Sequence, residues 1–300
     1  MFIFMLTLFC KLDSTCRPTY NYGCIVPCKQ QIMEGSKMIK QNLHCHTIFD
    51  DGADSPEAMV NAAMSAGLTS IGISAHSPVP GEAWCVSEEK EPEFRAELRR
   101  LREKYRGQIE VYCGLEYDSR SAQRFGGYDY VIASVHALLG TTIDNTLEEA
   151  RQVIEHYGSA DAAACAYYEQ CAELAGIAQA DIVGHFDLLT KFDERYRLYD
   201  SGSRIYRDAA FAAMERLNAA GKIFEINTGA ISRGYRSSPY PALELLRHLK
   251  AIGGRITVSS DAHSAAAICC AFDKAEALAQ SCGFTELWQF NGSRFDAVTI

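Results

Sequence analysis

The amino-acid sequence predicts an α/β protein, a closed or nearly closed barrel of seven parallel strand and helix units with its site at the C-terminal ends of the strands. Three observations support that expectation. Short β-branched, apolar runs alternate with alanine-rich helical stretches, a pattern that gives a parallel sheet with right-handed crossovers. Nearly every run closes on a polar patch: His44-Cys45-His46, Ala75-His76-Ser77-Pro78, Ser134-Val135-His136, Gly184-His185-Phe186-Asp187 and Ser260-Asp261-Ala262-His263. Six of the eight histidines of the 300-residue chain lie in those patches. Barrels of this class gather their functional groups at that end. An open, doubly wound sheet is the alternative, but it would draw its site from fewer strands, near a switch point, and here all seven contribute.

Taken in order, residues 1–37 stand apart. They run from an apolar start through Lys, Pro, Cys and Gly without sustained periodicity, and they lack the basic segment and cleavage site of a signal peptide. They are expected to be a poorly ordered extension ahead of an ordinary start at Met38, leaving 38–300 as a single barrel domain. Strands are expected at Ile39–His44, Ser70–Ala75, Ile109–Leu115, Tyr128–Val135, Asp181–His185, Ile223–Asn227 and Arg255–Ser259. Helices are expected at Glu57–Ala66, Glu93–Tyr105, Ala160–Gly176, Ser203–Ala220, Ala242–Ile252 and Ala266–Ser281, where apolar residues recur at helical spacing. Gly67, Gly176, Gly221, Gly253 and Gly283 mark helix ends, where a left-handed residue commonly closes the last turn.

Composition narrows the function. The apolar share is 48% and the charged share 22%, with no apolar run long enough to span a bilayer, which excludes an integral helical membrane protein. A formal charge of −9 argues against a long nucleic acid, because such binding draws on phosphate-neutralising lysines and arginines. A small anionic substrate is compatible with it, since bound divalent ions reverse the local field. The twelve cysteines sit singly or within apolar runs such as Ile268-Cys269-Cys270, as expected for reduced thiols of a cytoplasmic protein. Cys24 and Cys28, with Cys10 and Cys16 nearby, have no second pair at zinc-finger spacing.

The patches themselves point to metal. His44 and His46 are two apart on a strand, so both rings project to one face and can grip one ion. Asp50-Asp51-Gly52 follows as a turn that places a carboxylate in reach. Glu116 ends an inner strand, where a carboxylate needs a cation or a donor network to offset its desolvation. His76, His136 and His185 repeat the pattern, and Asp261 with His263 forms a second same-face pair. Each alone has an ordinary explanation as a core histidine or a turn cap. Together they indicate a polynuclear site for zinc, manganese or iron. Of Glu225 and Asn227, one is expected to face the barrel interior, with Asn227 binding a ligand or satisfying the turn before Gly229. Arg233 and Arg236 lie in a polar loop at the same rim, and the planar guanidinium of Arg233 suits phosphate oxygens. Lys191 is a candidate of the same kind. His156 and His248 read as helix-surface residues, and Trp84 as a lid or a core side chain.

From about Met38 onward the sequence resembles the PHP family, named for polymerase and histidinol phosphatase. Its members are distorted (β/α)7, TIM-like barrels holding three divalent ions of zinc, iron or manganese. The resemblance implies His44, His46, Asp51, His76, Glu116, His136, His185, Asp261 and His263 as metal ligands. Glu116 would bridge two ions, with His44, His46 and Asp261 on the first, His136 and His185 completing the second, and Asp51, His76 and His263 on the third. Asp50 competes with Asp51 for its position. The stretches Gly184–Phe192 and Glu225–Arg236 resemble the histidinol-phosphatase branch. That implies hydrolysis of L-histidinol phosphate in histidine biosynthesis, with Glu116, Asp261 and Arg233 catalytic and Arg233, Lys191, Asn227 and Arg236 touching substrate. Another small phosphomonoester or a nucleotide is the alternative substrate, and a non-catalytic metal-binding module the alternative class.

Overall fold

Period-two alternation along each strand decides which side chains enter the barrel and which face the helices. The computed structural model describes residues 39–122 and 125–300. Seven strands form one parallel sheet: β1 (Gln41–Asn42), β2 (Ser70–His76), β3 (Glu110–Asp118), β4 (Tyr130–Ser134), β5 (Ile182–Val183), β6 (Ile223–Asn227) and β7 (Arg255–Ser259). Each pairs in parallel with the next along the chain. Just beyond β1 and β7, Cys45 and Ala262 make a parallel bridge. The His46 N–H donates to the Ala262 carbonyl at 2.8 Å and the Ala262 N–H to the His44 carbonyl at 3.2 Å. That bridge brings the first and last histidine patches side by side.

Outward-facing Ile71, Ile73, Ala75, Val111, Ala133, Phe224, Ile226, Ile256 and Val258 are buried in the main apolar core. The helices that cover the sheet are α1 (Pro56–Ser65), α2 (Glu91–Lys104), α3 (Leu147–Tyr157), α4 (Ala160–Glu173), α5 (Arg204–Ala219), α6 (Leu243–Ala251) and α7 (Phe272–Ser281). Ser55, Ser159 and Ser203 cap three of them, each accepting a backbone N–H three residues on.

Inside the barrel, Leu43, Tyr112, Tyr130, Ile132, Ile182 and Ile223 form a second, smaller cluster with Phe290. Tyr130 lies across the neighbouring strands because two glycines make room. A Cβ on Gly72 would fall 2.1 Å from the Tyr130 hydroxyl oxygen, and one on Gly114 would fall 2.3 Å from its ring. The Tyr130 hydroxyl donates to the Leu43 carbonyl. This fills the N-terminal half of the interior, and the polar patches fill the other.

Four differences separate the observed elements from the sequence expectation. The expected strand at 39–44 pairs only over Gln41–Asn42, because Leu43 and His44 both turn inward and break the alternation. The strand expected at 181–185 is likewise short. A C-terminal hairpin, β8 (Glu286–Phe290) with β9 (Phe295–Thr299), was not expected from the patterning. Its Phe290 enters the inner cluster and exchanges two 2.8 Å hydrogen bonds with the Gln41 side chain. Helix α3, the stretch in which His156 reads as a helix-surface residue, is also absent from the bounded helices of the expectation. The expected extension at 1–37, with Cys24 and Cys28, lies outside the described residues. Among the described residues the cysteines are free thiols, and no helix is long and apolar enough to cross a membrane.

Candidate metal centre

The interior positions at the C-terminal ends of the strands carry the site. Glu116 on β3 is paired in register with His76 on β2, and both point inward. Beyond the ends of β4, β5 and β7 stand His136, His185 and Asp261, while His44 and His46 follow β1.

Glu116 is fully buried at the centre of these groups. Its Oε2 lies 3.2 Å from His44 Nε2, 3.4 Å from His46 Nε2 and 2.8 Å from His76 Nδ1. Its Oε1 lies 3.3 Å from His136 Nε2 and 2.9 Å from His185 Nε2, and accepts the Ser134 hydroxyl at 2.8 Å. Asp261 Oδ1 is 3.3 Å from His46 Nε2 and 3.7 Å from His44 Nε2. Asp51 Oδ2 is 3.2 Å from His263 Nε2, and its Oδ1 is 3.7 Å from His76 Nε2. All nine expected ligands thus come together. They fall in four overlapping groups: His44, His46 and Asp261; His44, Glu116 and His185; His76, Glu116 and His136; and His46, Asp51, His76 and His263.

The donor set fits divalent metal ions. His44 Nε2, His46 Nε2, His76 Nδ1, His185 Nδ1 and Glu116 Oε2 are buried without a hydrogen-bond partner. Leaving such atoms unsatisfied is costly, and imidazole nitrogens with carboxylate oxygens are the usual donors to zinc, iron and manganese.

Behind the histidines stands a row of carboxylates. His44 Nδ1 is 2.7 Å from Glu225 Oε1, His46 Nδ1 is 2.6 Å from Asp50 Oδ2, and His136 Nδ1 is 3.0 Å from Asp118 Oδ2. A carboxylate on one ring nitrogen fixes the tautomer and turns the other nitrogen toward the centre. Asp50 also accepts the Thr47 N–H at 2.8 Å and the His76 N–H at 3.1 Å. Asp50 is therefore engaged behind His46, while Asp51 faces His263. Burial opposes a charge on His44, but Glu225, Glu116 and Asp261 outweigh it and hold its pKa well above the usual imidazole value. Burial alone would raise the Glu116 pKa, yet His44, His76 and His136 hold it well below the usual range.

Asp261 adopts φ 48°, a left-handed conformation that costs a non-glycine residue on the order of 1–3 kcal/mol and recurs at functional sites. Arg233 holds it there: Nη2 is 3.0 Å from Asp261 Oδ2, and Nη1 donates to the Asp261 carbonyl at 3.3 Å. Nη1 also lies 2.9 Å from His263 Nδ1. Gly229 permits this approach, since a Cβ there would meet Asp261 Oδ2 at 2.7 Å and Arg233 Nη2 at 2.9 Å.

The other expected substrate contacts have partners of their own within the protein. Glu225 and Asn227 are two apart and therefore both face inward, which corrects the expectation that only one would. Asn227 donates to Glu225 Oε2 at 2.8 Å and accepts the Gly229 N–H at 2.8 Å, so its amide steadies Glu225 and satisfies the turn before Gly229. Arg236 donates to the Thr190 hydroxyl and lies 4.4 Å from the Tyr240 ring centroid; it braces the rim loop and bonds none of the ligands. Lys191 is buried and donates to the Asp144 carbonyl at 2.6 Å. Burial, together with the charge of Arg233, pushes its pKa down against the pull of Asp144. Sequence reasoning did not assign Asp118 or the part played by Glu225. The signal for Asp118 was its place two residues beyond Glu116 on the same strand; nothing marked Asp144.

A closed parallel barrel whose strand ends converge on histidines and carboxylates defines a metal-binding α/β barrel of the TIM-like kind. The PHP domain family matches residues 42–229, and the chain belongs to that family. It is similar to a probable histidinol-phosphatase of Schizosaccharomyces pombe, 25% identical over 257 residues that cover 77% of this chain and 82% of that one. A histidinol-phosphatase of Lactococcus lactis is 27% identical over 275 residues, covering 86% and 97%. The crystal structure of histidinol phosphate phosphatase from Lactococcus lactis, in complex with zinc, L-histidinol and phosphate, matches with a TM-score of 0.67 at 25% identity, covering 86% of this chain and 98% of that one. The distorted (β/α)7 architecture is shared with it.

Proposed function

We propose that this chain is a metal-dependent phosphomonoesterase of the cytoplasm that hydrolyses L-histidinol phosphate to L-histidinol and phosphate, a step of histidine biosynthesis. The observation that carries the reading is the setting of Glu116, whose two oxygens face two different sets of histidines from full burial. The substrate is taken from the relatives, which bear the name histidinol-phosphatase, and from the histidinol and phosphate in the Lactococcus lactis structure. Glu116 would bridge two ions, with His44, His46 and Asp261 holding the first and His136 and His185 the second. Asp51, His76 and His263 would hold a third. Ligand chemistry alone does not select among zinc, iron and manganese.

When bound, such ions supply Lewis acidity, neutralising phosphoryl charge and providing a nucleophile at neutral pH. The chain's own residues do the rest. Glu225, Asp50 and Asp118 keep three histidines in one tautomer. Arg233, already fixed against Asp261, directs guanidinium N–H groups at phosphoryl oxygens as their charge grows. Lys191 places a second cation at the same rim. Residues 38–300 would suffice for activity, so a chain beginning at Met38 should keep its kcat/KM.

The test pairs elemental analysis of protein purified without added metal with a panel of phosphate esters and nucleotides compared by kcat/KM. Histidinol phosphate should lead the panel; a better ester would displace it as substrate. Arg233→Ala should raise KM and, because Arg233 also holds Asp261 and lies against His263, weaken metal retention as well, and unchanged kinetics would remove Arg233 from the site. Activity that survives His136→Ala would overturn the metal-dependent reading.

A further inference from the structure

We infer that Trp84 is a specificity-determining residue, the flat surface on which the aromatic ring of the substrate's leaving group stacks. The inference rests on the phosphatase reading above and names the part of the ester that the metal ligands do not bind. Among the described residues, Trp84 is the aromatic side chain other than histidine whose ring contacts the ligand histidines. Its centroid lies 4.7 Å from that of His76, nearly perpendicular at 88°, and 6.0 Å from that of His136. It belongs to the loop between β2 and α2 and is only partly buried, unlike the large aromatic side chains of the core.

A partly exposed tryptophan is ordinarily free to change rotamer, but this one is held. Its indole N–H donates to Glu82 Oε2 at 2.8 Å. Glu82 Oε1 is bound by Arg120 Nη1 at 2.9 Å, and the Arg120 guanidinium lies 5.5 Å from the Trp84 ring centroid, within cation–π range. Arg120 in turn grips Asp118 through Nε at 3.0 Å and Nη2 at 3.1 Å, and Asp118 is the carboxylate that orients His136. One polar strut therefore fixes a metal-ligand histidine and the rim indole together. An indole fixed in advance loses little entropy when a ring stacks on it, and aromatic contacts of this kind are offset-stacked or edge-to-face. A phosphate seated against the cluster leaves its organic group at the rim that Trp84 walls. Of the groups in histidinol phosphate, the imidazole is the one that matches an indole face.

The test compares histidinol phosphate with 2-aminopropyl phosphate, the same ester without its imidazole. Trp84→Ala should raise KM for histidinol phosphate by about tenfold, the equivalent of one stacked and buried aromatic contact, and leave KM for 2-aminopropyl phosphate unchanged. Trp84→Phe should recover most of the loss, and kcat and metal content should hold in both variants. Equal loss on the two esters, or none on either, overturns the inference. Direct contact is read separately by fluorescence, because the chain has two tryptophans and Trp288→Phe leaves Trp84 as the sole indole. L-Histidinol should change that emission while 2-amino-1-propanol does not; no change at histidinol concentrations that inhibit turnover overturns the assignment. A wild-type enzyme that treats the two esters alike would overturn the histidinol-phosphate reading and the inference with it. A wild-type preference that survives intact in Trp84→Ala overturns the inference alone.

Discussion

The two halves of the barrel interior are lined by the same strands and filled in opposite ways. Toward the N-terminal ends, Leu43, Tyr112, Tyr130, Ile132, Ile182 and Ile223 pack over Phe290, with Tyr130 lying in the space left by Gly72 and Gly114. Toward the C-terminal ends stand Glu116, Glu225, Asp261, His44, His46, His76, His136 and His185, all buried. The first half gains from burial itself, roughly 1.5–3 kcal/mol for each large apolar side chain. The second half gains nothing from burial, because removing a carboxylate from water is costly unless it is paired. Ser134 marks the border, its hydroxyl bound to Glu116 from the same strand that begins with Tyr130. The lower half therefore sets the strand spacing that holds the upper half in a geometry it would not keep alone.

Perturbations of the two halves should separate cleanly. The largest effect is expected from chelation or Glu116→Gln, either of which should cut kcat/KM by about a thousandfold as several kcal/mol of charge stabilisation are withdrawn. Steady-state kinetics read alongside thermal melting check this, and the fold should persist. A cooperative loss of structure would show instead that the halves are one unit. Next come Asp118→Asn and Glu225→Gln, which free the far nitrogens of His136 and His44. Metal affinity, measured by competition with a chelator, should fall by about 10–100-fold.

Gly114→Ala is the converse experiment. Its Cβ would overlap the Tyr130 ring, so stability should drop by about 1–3 kcal/mol, visible as a lowered Tm, with metal content unaltered. Loss of metal with the melting unchanged would break the division of labour between the halves.

The smallest effect concerns a carboxylate outside the barrel interior. Burial pushes the Asp193 carboxyl up from 3.8 to about 6, against the backbone N–H groups of Tyr199 and Leu198 that it accepts. The folded state therefore binds this proton more tightly than the unfolded chain does. Its stabilising contribution is complete below pH 3.8 and is lost as pH rises to about 6. Asp193→Asn should flatten that slope in pH-dependent denaturation, with a larger gain over wild type at pH 7 than at pH 4.

By itself the sequence determined the strand and helix alternation and the residue types that end each strand. The last two strands of the sheet illustrate its reach. β6 and β7 occur where β-branched runs place them, and the pairs His44 with His46 and Asp261 with His263 are readable because two-residue spacing sets one face. The same spacing argument places Glu225 and Asn227 together inside, and it would have placed Asp118 beside Glu116. Tertiary structure alone decided the partners. Glu225 meets His44 across 181 residues, Asp50 and Asp51 divide between two tasks, and Asn227 bonds Glu225. It also decided that β1 stops at Asn42, that a hairpin supplies Phe290, and that Arg120 ties Trp84 to His136. The physical reason is that periodicity fixes a side chain's direction within its own element. Which atoms it then meets depends on the register between strands and on the closure through Cys45 and Ala262, and those are set only when the whole barrel packs.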